Sequence, residues 1–181
     1  LVMNHEYVNP PLHPNGMTFT DGKRPLDEVR KEQAAHGLSI IEGKKDAQGQ
    51  WQRVMPSRYN RRLSAMTPMG VGGPLAGNEA LKTVADPSGR EIIGTVNNCS
   101  SGFTPWGTYL MCEENWHNYF VNHDAADLAK RTSHKRYGIA GEGLSKLYGW
   151  ETADARFNAT PDPTQPHSGY VNEPNRFGWV V

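Results

Sequence analysis

Apolar positions come in short bursts along this chain, separated by long polar and glycine-rich stretches. That spacing predicts many short elements rather than a few long ones. Leu1 to Tyr7 reads as a strand with His5 and Glu6 at its end, followed by the stiff loop Asn9-Pro10-Pro11. The pattern predicts a helix over Pro25 to His36: Leu26, Val29, Gln33 and Ala34 mark one face, and Asp27 and Glu28 lie where the helix dipole favours acids. Gly37 is expected to stop it. Leu38 to Ile41 and Trp51 to Met55 read as the two strands of a hairpin across the charged turn Lys44 to Gly49. Asp86-Pro87-Ser88-Gly89 is a hairpin turn leading into a strand carrying the β-branched Ile92, Ile93, Thr95 and Val96. The run Asn97 to Pro105 breaks that strand with turn residues, and Thr108 to Cys112 returns to one that runs into Glu113 and Glu114. Trp116, Tyr119 and Phe120 read as packing residues, and Ala125 to Arg131 as a short helix. Ser133 to Tyr148 is Gly-rich and basic, Phe157 to Asn172 reads as a surface loop, and Phe177 to Val181 as a last strand.

These elements add up to a mainly β chain with short helices and long loops. Composition sharpens the picture: with 36% hydrophobic residues, 19 Gly and 13 Pro, loops must be abundant. A length of 181 residues suffices for one core. Both ends fall inside apolar strand-like runs, so residues 1–181 are expected to be a single partial domain of a longer protein. Open strand edges would then pair with the remainder of the parent chain or with another copy. The formal net charge is zero, which removes any electrostatic case for a nucleic-acid partner or an anionic membrane surface. No apolar stretch is long enough to span a bilayer, and no signal peptide is visible in this chain.

The candidate chemistry gathers in Asn97 to Asn115. A thiol (Cys99), two amides and two acids lie at the ends of adjacent predicted strands, and hard oxygens beside one soft sulfur suggest a metal site. Glu113 and Glu114 occupy successive positions, so at most one faces Cys99; Glu114 ranks first and Glu113 second. A solvated acidic turn is the plain alternative. Cys99 and Cys112 could equally form a disulfide or be two buried thiols. Arg58, Arg61 and Arg62 form an ordinary solvated face, unless the protein handles phosphate. One of them would then supply a bidentate fork, with Arg62 ahead of Arg61. Met66 to Gly77 carries no phosphate-cradling pattern. His36 reads as a partner for a helix C-terminus rather than as a ligand.

Asn97-Asn98-Cys99, Thr104-Pro105-Trp106-Gly107-Thr108 and Cys112-Glu113-Glu114-Asn115 resemble the PhoX-type alkaline phosphatases. So do Asn4-His5-Glu6-Tyr7, Ala35-His36-Gly37-Leu38-Ser39, Trp51, Ser57 to Arg62, His134 to Gly138 and Glu173 to Val181, in order over nearly the whole chain. The resemblance implies a β-propeller, of which this chain would hold several antiparallel blades. It implies iron bound through Cys99, calcium nearby, and carboxylates from Glu114, Glu113 and Glu6. It also implies hydrolysis of phosphomonoester substrates, with Arg62 or Arg61 holding phosphoryl oxygens, and a periplasmic or extracellular location for the parent protein. Further carboxylates would come from beyond Val181, so the isolated chain is expected to bind iron poorly and to be inactive. Ser100-Ser101-Gly102 departs from the Ala and Gly that relatives often place after the cysteine. The competing function is a calcium-stabilised propeller used for binding, without phosphatase activity.

Overall fold

The computed structural model describes residues 1–181, the side chain of Pro10 excepted. Among the described residues nine strands form four small antiparallel sheets, and none closes into a barrel. The first sheet joins β1 (Val2–His5), β2 (Gly37–Ile40) and β5 (Arg61–Leu63) in the order β1-β2-β5. Its register aligns Met3 with Ser39 and Arg62, and Asn4 with Leu38 and Leu63. Between β1 and β2 runs α1 (Leu26–Ala35), which buries Val29, Glu32 and Gln33. The helix ends one residue earlier than the sequence predicts, at an extended His36. Gly37 does more than stop it. At φ +99° an added Cβ would lie 2.2 Å from the Leu63 carbonyl oxygen, so a glycine is needed for β2 to approach β5.

The expected hairpin differs from the observed one. It is built from β3 (Gly43–Lys45) and β4 (Trp51–Arg53), while the strand holding Leu38 belongs to the first sheet. Local chemistry explains the pairing: Asp46 Oδ1 accepts from the backbone N–H groups of Gln48 and Gln50, closing a tight turn between β3 and β4. Leu38 is buried and needs the inner sheet. The turn at residues 86–89 does lead into a strand, β7 (Glu91–Ile93), but as the end of a long connection from its antiparallel partner β6 (Pro68–Gly70) rather than as a tight hairpin turn. Gly94, at φ +80°, then turns the chain so tightly against Ala65 that an added Cβ would sit 2.0 Å from the Ala65 carbonyl oxygen.

The next hairpin carries the candidate chemistry. The segment expected to break the pattern is largely strand: β8 (Asn98–Phe103) pairs with β9 (Tyr109–Glu113). The register runs Asn98 to Glu113 and Ser101 to Met111, so Cys99 and Ser100 together oppose Cys112. That is a β-bulge, a device that bends a strand and re-aims its side chains. On its other edge β9 bonds to the closing residues, through Met111 and Val181 in both directions and from Glu113 N to Trp179 O.

Behind these sheets lies the aromatic core. Trp116, Tyr119, Phe120, Trp150, Phe157 and Phe177 pack with Val29, Val96 and Ile139. Phe157 was expected in a surface loop but is fully buried, as a short 3-10 turn folds it inward. The short helices α2 (Ala125–Lys130) and α3 (Thr132–Tyr137) follow one another, α2 capped by Asp124 and α3 ended by Gly138 at φ +79°. Among the described residues no helix is long and apolar enough to cross a membrane.

Candidate metal centre

Three segments converge at one edge of the β8–β9 hairpin: the end of β1, the bulge in β8 and the end of β9. Asn4 joins the first two. Its Nδ2 donates to the Cys99 carbonyl at 2.9 Å and to that of Ser100 at 3.4 Å, while its Oδ1 accepts from the Tyr109 hydroxyl at 3.2 Å. Asn97 joins the second and third. It is fully buried and left-handed at φ +54°, a conformation that asparagine tolerates better than most residues. Its carbonyl accepts from Glu114 N at 3.0 Å, and its Oδ1 accepts from Asn115 N at 2.9 Å. Asn115 in turn donates from Nδ2 to the Tyr7 hydroxyl at 3.2 Å, tying the β9 end back to the β1 end.

Through these ties the Cys99 sulfur and one carboxylate oxygen each from Glu6 and Glu114 lie within 4.8 Å of one another. Glu6 is half-buried, and Cys99 and Glu114 are exposed. The hydrogen bond between the Cys99 thiol and the Glu114 carboxylate pushes the thiol up to about 11, with desolvation and the Glu6 charge adding in the same direction. Two carboxylates thus disfavour a third negative charge on sulfur. A cation in the cluster would reverse that, since a metal takes the thiolate and releases its proton. Cys112 forms no disulfide with Cys99; both thiols are free.

Glu113 goes elsewhere. The period-two alternation of β9 turns it to the opposite face. There Oε1 accepts from Thr95 Oγ1 at 2.7 Å and Val96 N at 3.1 Å, and Oε2 from Gly178 N at 2.7 Å and Trp179 N at 3.4 Å. Burial pushes its carboxyl above the usual range. Glu113 therefore stitches the site-bearing strand to its surroundings and is absent from the cluster.

The two arginines are also placed by the sheet. Arg62 donates from Nη2 to the carbonyls of Ala35, His36 and Ala34 at 2.6, 2.9 and 3.2 Å, covering the C-terminal end of α1. Burial lowers its pKa from the ordinary arginine value. Arg61 donates from Nη1 to the carbonyl of Tyr59, 3.2 Å away. The register aligns Arg61 with Ile40 and Val2. Two strands across and four residues along put its Cα roughly 16 Å from that of Glu6. His5 turns from the cluster, and its Nε2 meets Ser39 Oγ at 2.8 Å.

The amides of Asn4 and Asn97 carry much of the site's geometry, though the sequence analysis singles out neither by itself. One signal was available: an asparagine just before a strand is a natural left-handed position.

A family profile described as alkaline phosphatase PhoX matches residues 1–181. The chain belongs to the PhoX alkaline phosphatase family. Among solved structures it is similar to one titled "Pseudomonas fluorescens PhoX in complex with vanadate, a transition state analogue", at 40% sequence identity and a TM-score of 0.82. That match covers 99% of this chain and 28% of the Pseudomonas chain. A search among curated proteins returned no match.

Proposed function

We propose that this chain supplies part of the metal centre of a phosphatase that hydrolyses phosphomonoesters. The observation that carries the reading is the convergence of Glu6, Cys99 and Glu114 in a PhoX family member. The likeness to a PhoX captured with vanadate, named there as a transition-state analogue, supports phosphoryl chemistry.

The donor set fits the cations that the family resemblance implies. A thiolate suits iron, carboxylate oxygens suit calcium, and the cluster offers both. Bound there, the ions would supply positive charge to the phosphoryl oxygens and activate a water-derived nucleophile. The chain's own residues do the holding. Cys99 gives up its thiol proton and becomes the soft donor. Glu6 and Glu114 balance the charge. Asn4 and Asn97 fix the two strand ends, and Asn115 with Tyr7 ties the rim. Arg61 has donors beyond its Tyr59 contact, so of the two arginines it is the one offered to an incoming phosphate ester. Its distance from the cluster confines that role to approach. The small sheets are read as blades of a propeller whose open edges pair with the remainder of a longer PhoX chain, in the periplasm or outside the cell. With three donors in hand, the 181 residues alone would be inactive.

The test is a chimera in which these residues replace the matching part of the Pseudomonas PhoX. It should hydrolyse p-nitrophenyl phosphate and lose that activity with Cys99→Ser. An active chimera indifferent to Cys99→Ser would remove the cysteine from the chemistry. A folded, calcium-containing but inactive chimera would favour the binding-propeller reading.

A further inference from the structure

A buried chain of hydrogen bonds runs from α1 to Asn97, whose carbonyl and Oδ1 hold the strand end that carries Glu114. Glu32 is fully buried, its carboxylate held by Arg24 Nη2 at 2.5 Å, Trp150 Nε1 at 2.7 Å and His13 Nε2 at 2.9 Å. Its backbone carbonyl lies 2.8 Å from His36 Nδ1. A carbonyl can only accept, so that nitrogen carries the proton. Burial keeps the ring neutral by lowering His36 to about 4, which leaves Nε2 as a lone-pair acceptor. The Tyr119 hydroxyl, 2.9 Å away, must therefore donate to it. With its proton spent, the Tyr119 oxygen accepts from Asn97 Nδ2 at 3.2 Å. The amide of Asn97 then has one orientation left, with Oδ1 toward Asn115 N. His36, Tyr119 and Asn97 are all fully buried, and each is hydrogen-bonded along the chain.

We infer that Tyr119 and His36 are positioning residues for the Glu6–Cys99–Glu114 cluster, acting by fixing which way the Asn97 side-chain amide faces. Neither belongs to the cluster. Without the Tyr119 hydroxyl, Asn97 Nδ2 and His36 Nε2 both lose their buried partner, and the Asn97 side-chain amide is left held by the Asn115 N–H alone. The strand end that carries Glu114 then loosens. The inference rests on the metal-centre reading above.

The test uses the 181-residue chain and two variants. Tyr119→Phe deletes one oxygen and keeps the ring in the core. Phe157→Leu weakens the same core while removing no hydrogen-bonding group from the chain. Hydrogen exchange at the Asn115 amide should rise about tenfold or more in Tyr119→Phe and by less than about threefold in Phe157→Leu. Cd2+ affinity, read from thiolate-to-metal absorption, should fall about 10- to 100-fold in Tyr119→Phe and hold in Phe157→Leu. Unchanged exchange and affinity in Tyr119→Phe, or equal losses in both variants, would overturn the inference alone. A wild-type chain that shows no Cys99-dependent Cd2+ band would overturn the metal-centre reading and this inference with it.

Discussion

Glu113 and Glu114 are chemically identical neighbours that the structure turns to opposite faces, so under the proposed metal-centre reading exchanging each for glutamine should separate stability from metal binding. Glu113 accepts from two close backbone N–H groups and one hydroxyl, with a longer contact to Trp179 N. Glu113→Gln keeps an acceptor for Thr95 and Val96 but turns an NH2 toward the N–H of Gly178. Replacing that charge-assisted acceptor with a donor costs about 1–3 kcal/mol. Glu113→Ala strips all of the bonds, leaves the buried Thr95 hydroxyl and Val96 N–H unpaired and should cost about 2–4 kcal/mol, enough to shift the midpoint of thermal unfolding by roughly 10 °C in a chain of this size. Glu114 is exposed, and Glu114→Gln should change stability by less than about 0.5 kcal/mol. The assay is urea unfolding followed by tryptophan fluorescence, with Cd2+ titration of the folded variants alongside. The expected result is a crossover: Glu113→Gln unfolds earlier but binds Cd2+ as the wild type does, and Glu114→Gln unfolds normally but binds more weakly. A Glu113→Ala variant losing less than about 1 kcal/mol, or a Glu114→Gln variant with unchanged Cd2+ affinity, would refute the assignment.

Two further outcomes follow from buried positions. His36 has a folded-state pKa of about 4 against an ordinary 6.5, so its contribution to stability is complete above pH 6.5 and is lost as pH falls toward 4. The full loss is about 3 kcal/mol, and unfolding curves at pH 6.5 and pH 5 should already differ, a difference that His36→Gln should flatten. Gly94→Ala should destabilise by about 3 kcal/mol or more, because the new methyl meets the Ala65 carbonyl oxygen at 2.0 Å on a backbone with φ +80°. A soluble Gly94→Ala variant with an unchanged urea midpoint would contradict that close approach.

What the sequence shows well is whatever depends on neighbours in the chain. The helix from Leu26, the aromatic packing of Trp116, Tyr119 and Phe120, and the opposed faces of Glu113 and Glu114 all follow from periodicity. What it conceals depends on distant partners. β8 is made of Asn, Cys, Ser, Gly and Phe, poor strand formers as a group, and it is a strand because β9 pairs with it. Leu38 looked like half of a local hairpin, yet its partners are Asn4 and Leu63. Arg62 looked like an anion fork, and its placement over the α1 C-terminus comes from a strand register that no local pattern encodes. The hydrogen-bond chain from Glu32 to Asn97 joins residues far apart in sequence, so its members read individually as ordinary core polar groups.

The most direct test of the central claim is elemental analysis by mass spectrometry of the purified chimera carrying these residues, with and without Cys99→Ser. The account predicts iron and calcium in the parent chimera, and loss of iron with calcium retained in the Cys99→Ser variant. Iron content that survives Cys99→Ser, or calcium alone in both proteins, would contradict a metal centre built on Glu6, Cys99 and Glu114.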